Sequence, residues 1–287
     1  MTSHDLVAQV RRGLPGKTKV GHAGTLDPFA TGLMLVLLGR GTRLQRYLVG
    51  LPKAYRGGVR FGVTSTTGDP TGELSATGGR TDEPAIAAAL ERLRGEIRQT
   101  VPAYSAVKVE GRRLYRSARA GEEVERPVRT VRIERLELVA FDDVTQEGEL
   151  AVECSSGTYV RQLVADLGEL CGAGAHCTTL ERTRVGPFEL ADAGPERVLS
   201  LSEALVFLPE RPLSPDEASA ARHSRPVEGT ATAAPATTAE PATGAEPAAE
   251  PATPAAPATP VRLTFEGRLV AVARERDGLL RPETVVA

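Results

Sequence analysis

Apolar positions recur at helical spacing near the start of the chain, where Leu6, Val7, Val10 and Leu14 share one face. Thr2 or Ser3 caps that helix, and Asp5 stands in its first turn. The apolar run Leu33 to Leu38 reads as a short buried strand, and Tyr55 to Phe61 as a second. Pro84 opens a helix with Ile86, Leu90 and Leu93 inward, and Gly95 closes it. Val131, Ile133, Leu136 and Leu138 mark a strand. Leu150, Val152 and Cys154 alternate as another, and a helix from Thr158 to Leu170 stops at Gly172. Near the end, Leu263 and Phe265 alternate with polar residues, Glu266-Gly267 suits a turn, and Leu269 to Val272 resumes an apolar run. This predicts a β-hairpin over 261–287 that is too short to fold alone and pairs with something within 185–225. Strands and helices are interspersed without regular βαβ spacing, so the fold class is α+β.

Composition adds a boundary. Of the 30 residues 231–260, 26 are Ala, Pro or Thr, and seven of them are proline, which predicts an extended, disordered linker. The 287 residues allow one large domain, or one large and one small. Three cysteines make no disulfide framework, no apolar run approaches the roughly 20 residues of a membrane span, and Met1 to Arg12 lacks the apolar stretch of a signal peptide. The expectation is a soluble cytoplasmic protein with no membrane partner. Cys171, His176 and Cys177 lack metal-ligand spacing and a fourth ligand, so they read as buried thiols and a histidine rather than a zinc site.

Charge changes the picture more. The net charge is −2, yet residues 1–135 carry 23 Lys and Arg against 13 Asp and Glu, whereas residues 136–287 carry 12 against 24. From Pro28 to Gly68 there are six basic residues, Arg40, Arg43, Arg46, Lys53, Arg56 and Arg60, and no acid. Such a run presents a basic face to a phosphate backbone, or is a solvated surface whose counter-charges lie on a distant segment.

The densest chemical signal is Gly21-His22-Ala23-Gly24-Thr25-Leu26-Asp27-Pro28-Phe29-Ala30-Thr31-Gly32. Pro28 holds the Asp27 backbone extended, and the glycines allow close approach. A carboxylate on such a loop is a candidate nucleophile or base, and the same residues also read as a plain turn. No Lys-Ser/Thr follows the glycines, so this is not a phosphate loop.

The order of motifs resembles the TruB family of pseudouridine synthases, the bacterial enzymes that make pseudouridine at position 55 of tRNA. The segment around Asp27 resembles its catalytic motif, and Met1-Thr2-Ser3-His4-Asp5 its entry to the first helix. Lys53-Ala54-Tyr55-Arg56 resembles its tyrosine motif. Val101 to Lys108 with Gly111-Arg112-Arg113-Leu114-Tyr115 is similar to its RNA-gripping thumb, about 101–127. Cys154 to Arg161 is similar to its arginine motif, and Ala175 to Leu180 with Arg182 to Phe188 to its closing motif. The resemblance implies a mixed, mainly antiparallel central sheet flanked by helices, in a catalytic domain over 1–185 whose C-terminal region runs over 186–230. A small β-containing tail follows the linker.

It also implies roles. Uridine becomes pseudouridine without redox or hydrolysis, so no cofactor and no metal is expected. Asp27 is the nucleophile, and Arg161 its ion-pair partner, which favours the anion. Tyr55 stacks on the flipped base, His22 fills the space the base leaves, and Leu180 walls the pocket. Lys19, Arg40, Lys108, Arg112 and Arg113 contact the RNA backbone. Read without the family, Arg161 is a surface arginine of a first helical turn, Tyr55 and Leu180 are core residues, His22 is a loop histidine and the five cations are solvated. The expected partner is the T-arm of tRNA, bound by a monomer without guide RNA.

The chain departs from the family in two places. The family has a β-strand and a Lys-Pro-x-Gly turn ahead of Thr-Ser-His-Asp, where this sequence has Met1. Absence of that strand leaves an unpaired neighbour in the sheet and lowers stability. The tail is similar to the shorter one of high-GC actinobacterial members rather than to an RNA-binding PUA domain. Two other readings remain: a non-catalytic tRNA-binding or folding factor, and a guide-RNA-dependent synthase of the archaeal and eukaryotic kind. Retention of Asp27, Tyr55 and Arg161 speaks against the first, and the thumb Tyr104 to Tyr115 against the second.

Overall fold

The computed structural model describes residues 1–105, 107–109, 111–122, 124–194, 197–229 and 259–286. The predicted linker over 231–260 lies outside them except for its last two residues. The chain divides into two compact units.

The first unit comprises Met1–Val10, His22–Leu35 and Val49–Ala193. Its centre is a seven-stranded sheet built from β1 (Lys53–Phe61), β2 (Gly95–Thr100), β3 (Val128–Asp142), β4 (Glu147–Cys154), β5 (Ala175–Val185), β6 (Phe188–Glu189) and the two-residue strand Thr31–Gly32. The order is β6-β5-β1-β4-β3-β2, with every pair antiparallel, and Thr31–Gly32 runs parallel to β5. One face carries Val59 and Phe61 of β1, Val131 and Ile133 of β3, Leu150 and Val152 of β4, and Cys177 of β5, all buried. Ile86 and Leu90 of one helix (Glu83–Arg92) and Leu163, Val164 and Leu167 of another (Val160–Leu170) complete this core. The sequence locates both helices. Asp82 caps the first by accepting from the Ala85 amide, and Gly172, with φ +70°, follows the end of the second.

The opposite face of the sheet is ionic. Arg60 meets Glu147 at 2.7 Å and Arg56 meets Glu149 at 2.9 Å across β1 and β4, and Arg184 of β5 pairs with Glu153. Two cations of the Pro28–Gly68 run thus find their counter-charges about 90 residues later along the chain, as the register of β1 and β4 requires. A third, Lys53, is buried.

The second unit comprises Arg11–Gly21, Val36–Leu48 and Gly194–Ala287. Strands β7 (Glu210–Pro212), β8 (Val227–Glu228), β9 (Val261–Phe265), β10 (Arg268–Arg276) and β11 (Leu279–Val285) form a five-stranded sheet in the order β7-β9-β10-β11-β8. The helix Pro215–Arg222 packs against it through Ala218 and Ala221, with Ser214 and Glu217 forming a capping box. Both hairpin turns, Glu266-Gly267 and Asp277-Gly278, have φ positive at both residues, the condition for a tight turn between right-twisted strands. The tail therefore holds three strands rather than the predicted two. Pro282 of the third sits at a register shift, where its missing amide is tolerated. Arg40 and Arg43 donate to the carbonyls of Val286 and Val285. The predicted strand Leu33 to Leu38 is regular only over Val36–Leu38, which pairs with Val20–His22. Its first residues are instead drawn to β5, through the Leu33 amide and the Arg182 carbonyl. No helix among the described residues is long and apolar enough to cross a membrane.

Candidate active site

The glycine-rich segment leaves the strand Val20–His22, loops through Asp27 and rejoins the sheet at Thr31–Gly32. Its loop is closed by the Ala30 amide, which donates to the Asp27 carbonyl at 3.0 Å. Buried Ser3, at the start of the helix Ser3–Gly13, holds it from one side by accepting from the Leu26 amide at 2.9 Å. Gly32 is required where it stands. Its φ is +100°, and a Cβ there would lie 2.3 Å from the Arg182 carbonyl oxygen.

Asp27 reaches Arg161. The Asp27 Oδ2 accepts from Arg161 Nε at 3.0 Å, with the carboxylate side chain 29% exposed and the guanidinium 2%. Arg161 is the second residue of the helix Val160–Leu170, where the helix dipole disfavours a cation. Its surroundings offset that cost. Nη1 donates to the Thr67 carbonyl and Nη2 to the Tyr104 carbonyl, each at 2.7 Å, and a second carboxylate, Asp69, lies 3.9 Å from Nε. The guanidinium also stands 5.8 Å from the Tyr159 ring centroid. A surface arginine is therefore not what the helix start holds. It holds a buried cation that joins the Asp27 loop, the Thr67–Asp69 turn and the base of the thumb.

Asp69 escaped the sequence reading. Its Oδ1 accepts from the Thr71 amide, the Thr71 hydroxyl and the Thr67 hydroxyl, at 2.5–2.9 Å, so the buried carboxylate is oriented on every side. Gly68-Asp69-Pro70 reads as a turn, but it repeats the Asp-Pro pair of Asp27-Pro28, and that repetition was an available signal.

Tyr55 lies on the covered face of β1, directly across from Arg182 of β5, and Leu180 lies across from Gly57. Leu180 packs over Gly57, its Cδ1 at the ordinary contact distance of 3.6 Å from where a Cβ would stand. Burial pushes the Tyr55 phenol up to about 12, against the pull of the neighbouring Arg182 charge. Lys53, two residues earlier on the same face, is pushed down to about 8, first by burial and then by Arg182. Its ammonium donates to the carbonyls of Val49 and Leu51, both at 2.6 Å. His22 ends the strand that enters the loop, with its Nδ1 buried.

The structure thus brings Asp27 and Arg161 into contact and sets Tyr55 and Leu180 on one face of the sheet. Lys108, Arg112 and Arg113 come together on a two-stranded hairpin, Lys108–Val109 with Arg112–Arg113. With Arg116 they line a cavity of about 540 Å³. The hairpin's neck closes where the Val101 amide donates to the Pro127 carbonyl at 2.9 Å. Arg161 borders a different cavity of about 260 Å³, rimmed by the hydroxyls of Thr64 to Thr67 and by Pro102 to Tyr104. Lys19 and Arg40 fall in the second unit. Among the described residues no three His, Cys, Asp or Glu side chains converge as metal ligands. Cys177 points its thiol at the Thr179 carbonyl, and burial pushes that thiol up to about 12.

Residues 11–160 match the model of the TruB family pseudouridylate synthase N-terminal domain, and residues 161–217 that of the tRNA pseudouridylate synthase B C-terminal domain. The chain is 46% identical over 239 residues to tRNA pseudouridine synthase B of Mycobacterium sp. (strain KMS), covering 78% of this chain and 80% of that one. It is 45% identical over 238 residues to the protein of that name from Mycobacterium tuberculosis (strain ATCC 25618 / H37Rv), with the same coverage. Identity to the Mycobacterium leprae (strain TN) protein is 43% over 245 residues, 79% of this chain and 76% of that one. Among solved structures, a Cbf5-Nop10-Gar1 complex has a chain of similar fold, with a TM-score of 0.70 at 22% identity, covering all of this chain and 82% of that one.

Proposed function

Since the chain belongs to the TruB family of pseudouridine synthases and forms pseudouridine in tRNA, we propose that it isomerises uridine 55 of the T-arm, with Asp27 as the nucleophile. The C1′–N1 bond of the target nucleotide breaks, the base turns, and a C1′–C5 bond forms. The C5 proton is lost and N1 gains one, so electrons and atoms balance without oxidant or water. The target must leave its stack first, at a cost of a few kcal/mol. Tyr55 stacks on the extruded base, worth about 1–3 kcal/mol. Its phenol stays protonated at neutral pH because burial pushes it up to about 12. It therefore accepts the C5 proton only by passing on its own. Leu180 supplies an apolar wall, and His22 occupies the vacated space in the RNA. Lys108, Arg112 and Arg113 grip phosphates, as do Lys19 and Arg40, without reading sequence.

The observation that carries this reading is the 3.0 Å pair between Asp27 Oδ2 and Arg161 Nε. Arg161 Nη1 and Nη2 donate to the Thr67 and Tyr104 carbonyls, so the guanidinium is anchored and its Nε fixes where the Asp27 carboxylate points. Release of tritium from tRNA labelled at uridine C5 tests it. Asp27→Asn is expected to lose turnover by about a thousandfold or more, while tRNA affinity changes less than about threefold. Full turnover in Asp27→Asn removes the nucleophile. Binding without release by the unsubstituted protein makes it a tRNA-folding factor instead. Activity on bare tRNA, with no other RNA present, supports guide-independent action, and dependence on an added RNA overturns it.

A further inference from the structure

Arg182 is 1% exposed, as deeply buried as Arg161, but no carboxylate pairs with it among the described residues. A buried guanidinium costs several kcal/mol unless its charge is met. Here it is met by three neutral carbonyls: Nε donates to Leu33 at 2.7 Å, Nη2 to Gly24 at 3.3 Å and Nη1 to Thr25 at 3.4 Å. Those carbonyls lie on both sides of Asp27. The backbone of Arg182 adds a fourth tie, its carbonyl accepting from the Leu33 amide at 2.8 Å. The closeness of Gly32 to that backbone leaves no room for a side chain. Arg182 also stands directly across the sheet from Tyr55.

We propose that Arg182 is the positioning residue of the reaction. One buried fork grips both limbs of the loop that carries Asp27, from a strand position directly across from Tyr55, so the carboxylate and the ring are held at a fixed separation. The proposal rests on the reading of Asp27 and Tyr55 given above and assigns what holds them. Arg161 fixes the tip of the loop and Arg182 its stem. A lysine cannot replace the fork, because three carbonyls in different directions need three separate N–H groups on a rigid plane. Burial and then the Arg182 charge push the neighbouring Lys53 down to about 8.

The test is Arg182→Lys, assayed for single-turnover tritium release, tRNA affinity and thermal unfolding. Displacement of a reacting group by about 1 Å costs roughly 100-fold in rate. Turnover is expected to fall by about that factor, with affinity within about threefold. In a Tyr55→Phe background the further loss from Arg182→Lys is expected to shrink, because the two residues share one function. Unchanged turnover overturns the proposal. So does a fall in turnover matched by the fall in affinity and in folded fraction, which marks a purely structural role. Hydrogen exchange on the unsubstituted protein provides a check that needs no variant. The Leu33 and Ala30 amides are expected to exchange as slowly as those of β5, and fast exchange of the loop beside a protected β5 overturns the clamp. Asp27→Asn separates the two levels. If it retains turnover the functional reading fails. If it is inactive and Arg182→Lys is normal, only the positioning role fails.

Discussion

The two faces of the central sheet use charge in opposite ways. On the outer face Arg56, Arg60, Arg135 and Arg184 meet Glu149, Glu147, Glu137 and Glu153, pair by pair, in contact with water. On the covered face there are few charges, Arg161, Arg182, Lys53 and Asp69, and each is buried and satisfied from several directions. On β1 strand alternation separates the sets, since Lys53 and Tyr55 point one way and Arg56 and Arg60 the other, whereas on β5 a register shift between Arg182 and Arg184 turns one inward and the other out. In high dielectric an ion pair gains little and is readily replaced. In the covered layer a single group organises its surroundings, and its removal leaves partners without compensation. Dense exposed charge therefore belongs to the solvated face, and sparse buried charge to the covered layer that holds the proposed site.

The largest effect should come from the most connected buried group. Arg161→Met leaves Asp69 buried beside no cation and frees the carbonyls of Thr67 and Tyr104. Urea unfolding is expected to show a loss of about 3–5 kcal/mol. A loss below about 1 kcal/mol would mean that water reaches this centre, and the contrast between the faces would then fail.

That contrast was only partly readable in the sequence. The helix Val160–Leu170 was legible because Val160, Leu163, Val164 and Leu167 repeat at helical spacing, and the family was legible because the residue order around Asp27 is distinctive. Arg161 was legible through its motif and not through physics, since a first-turn arginine usually faces water. The burial of Asp69 and Arg182 was not legible. Asp69 meets Arg161 from 92 residues away, and Arg182 reaches Thr25 across 157. Contacts of that span are set by sheet register, which periodicity does not report. The same limit explains the basic run Pro28–Gly68, whose members divide between an outer ionic face, a buried lysine and the carbonyls of the terminal strand.

The hairpin of Lys108–Val109 and Arg112–Arg113 offers a middle case, exposed charge that we propose meets RNA phosphates. Arg112 and Arg113 are exposed, and among the described residues their one ion pair, Arg112 with Glu122, spans 3.9 Å. Replacing both by Ala is expected to weaken tRNA binding about tenfold and to reduce the slope of log affinity against log salt by about 1–2, with turnover at saturating tRNA unchanged. An unchanged salt slope would detach the hairpin from phosphate contact.

Lys53 sharpens the comparison through pH. Burial and then Arg182 hold it down at about 8, below the ordinary lysine value of 10.5. Below pH 8 both folded and unfolded chains keep the proton. Between pH 8 and 10.5 the unfolded chain keeps it and the native state has lost it, so raising pH stabilises the native state. Relative to Lys53→Met, the unsubstituted protein should gain on the order of 1 kcal/mol between pH 7.5 and 9.5, after solvent screening is allowed for. A difference that stays flat, or that moves the other way, would place the ammonium in water.

The smallest effect belongs to the outer face. Arg56 and Glu149 are 62% and 40% exposed at 2.9 Å, a good geometry in the wrong medium for a strong pair. Holding two long side chains together costs rotamer entropy close to what the attraction returns, so a double-mutant cycle with Arg56→Ala and Glu149→Ala should give a coupling of about 0.5 kcal/mol. At 1 M salt, where the screening length falls to about 3 Å, the coupling should fall towards zero. The same salt should leave the unfolding cost of Arg161→Met nearly unchanged, because counter-ions cannot enter that centre. A coupling above about 2 kcal/mol that survived high salt would show the ladder acting as buried charge does, and the two faces would then differ in composition alone.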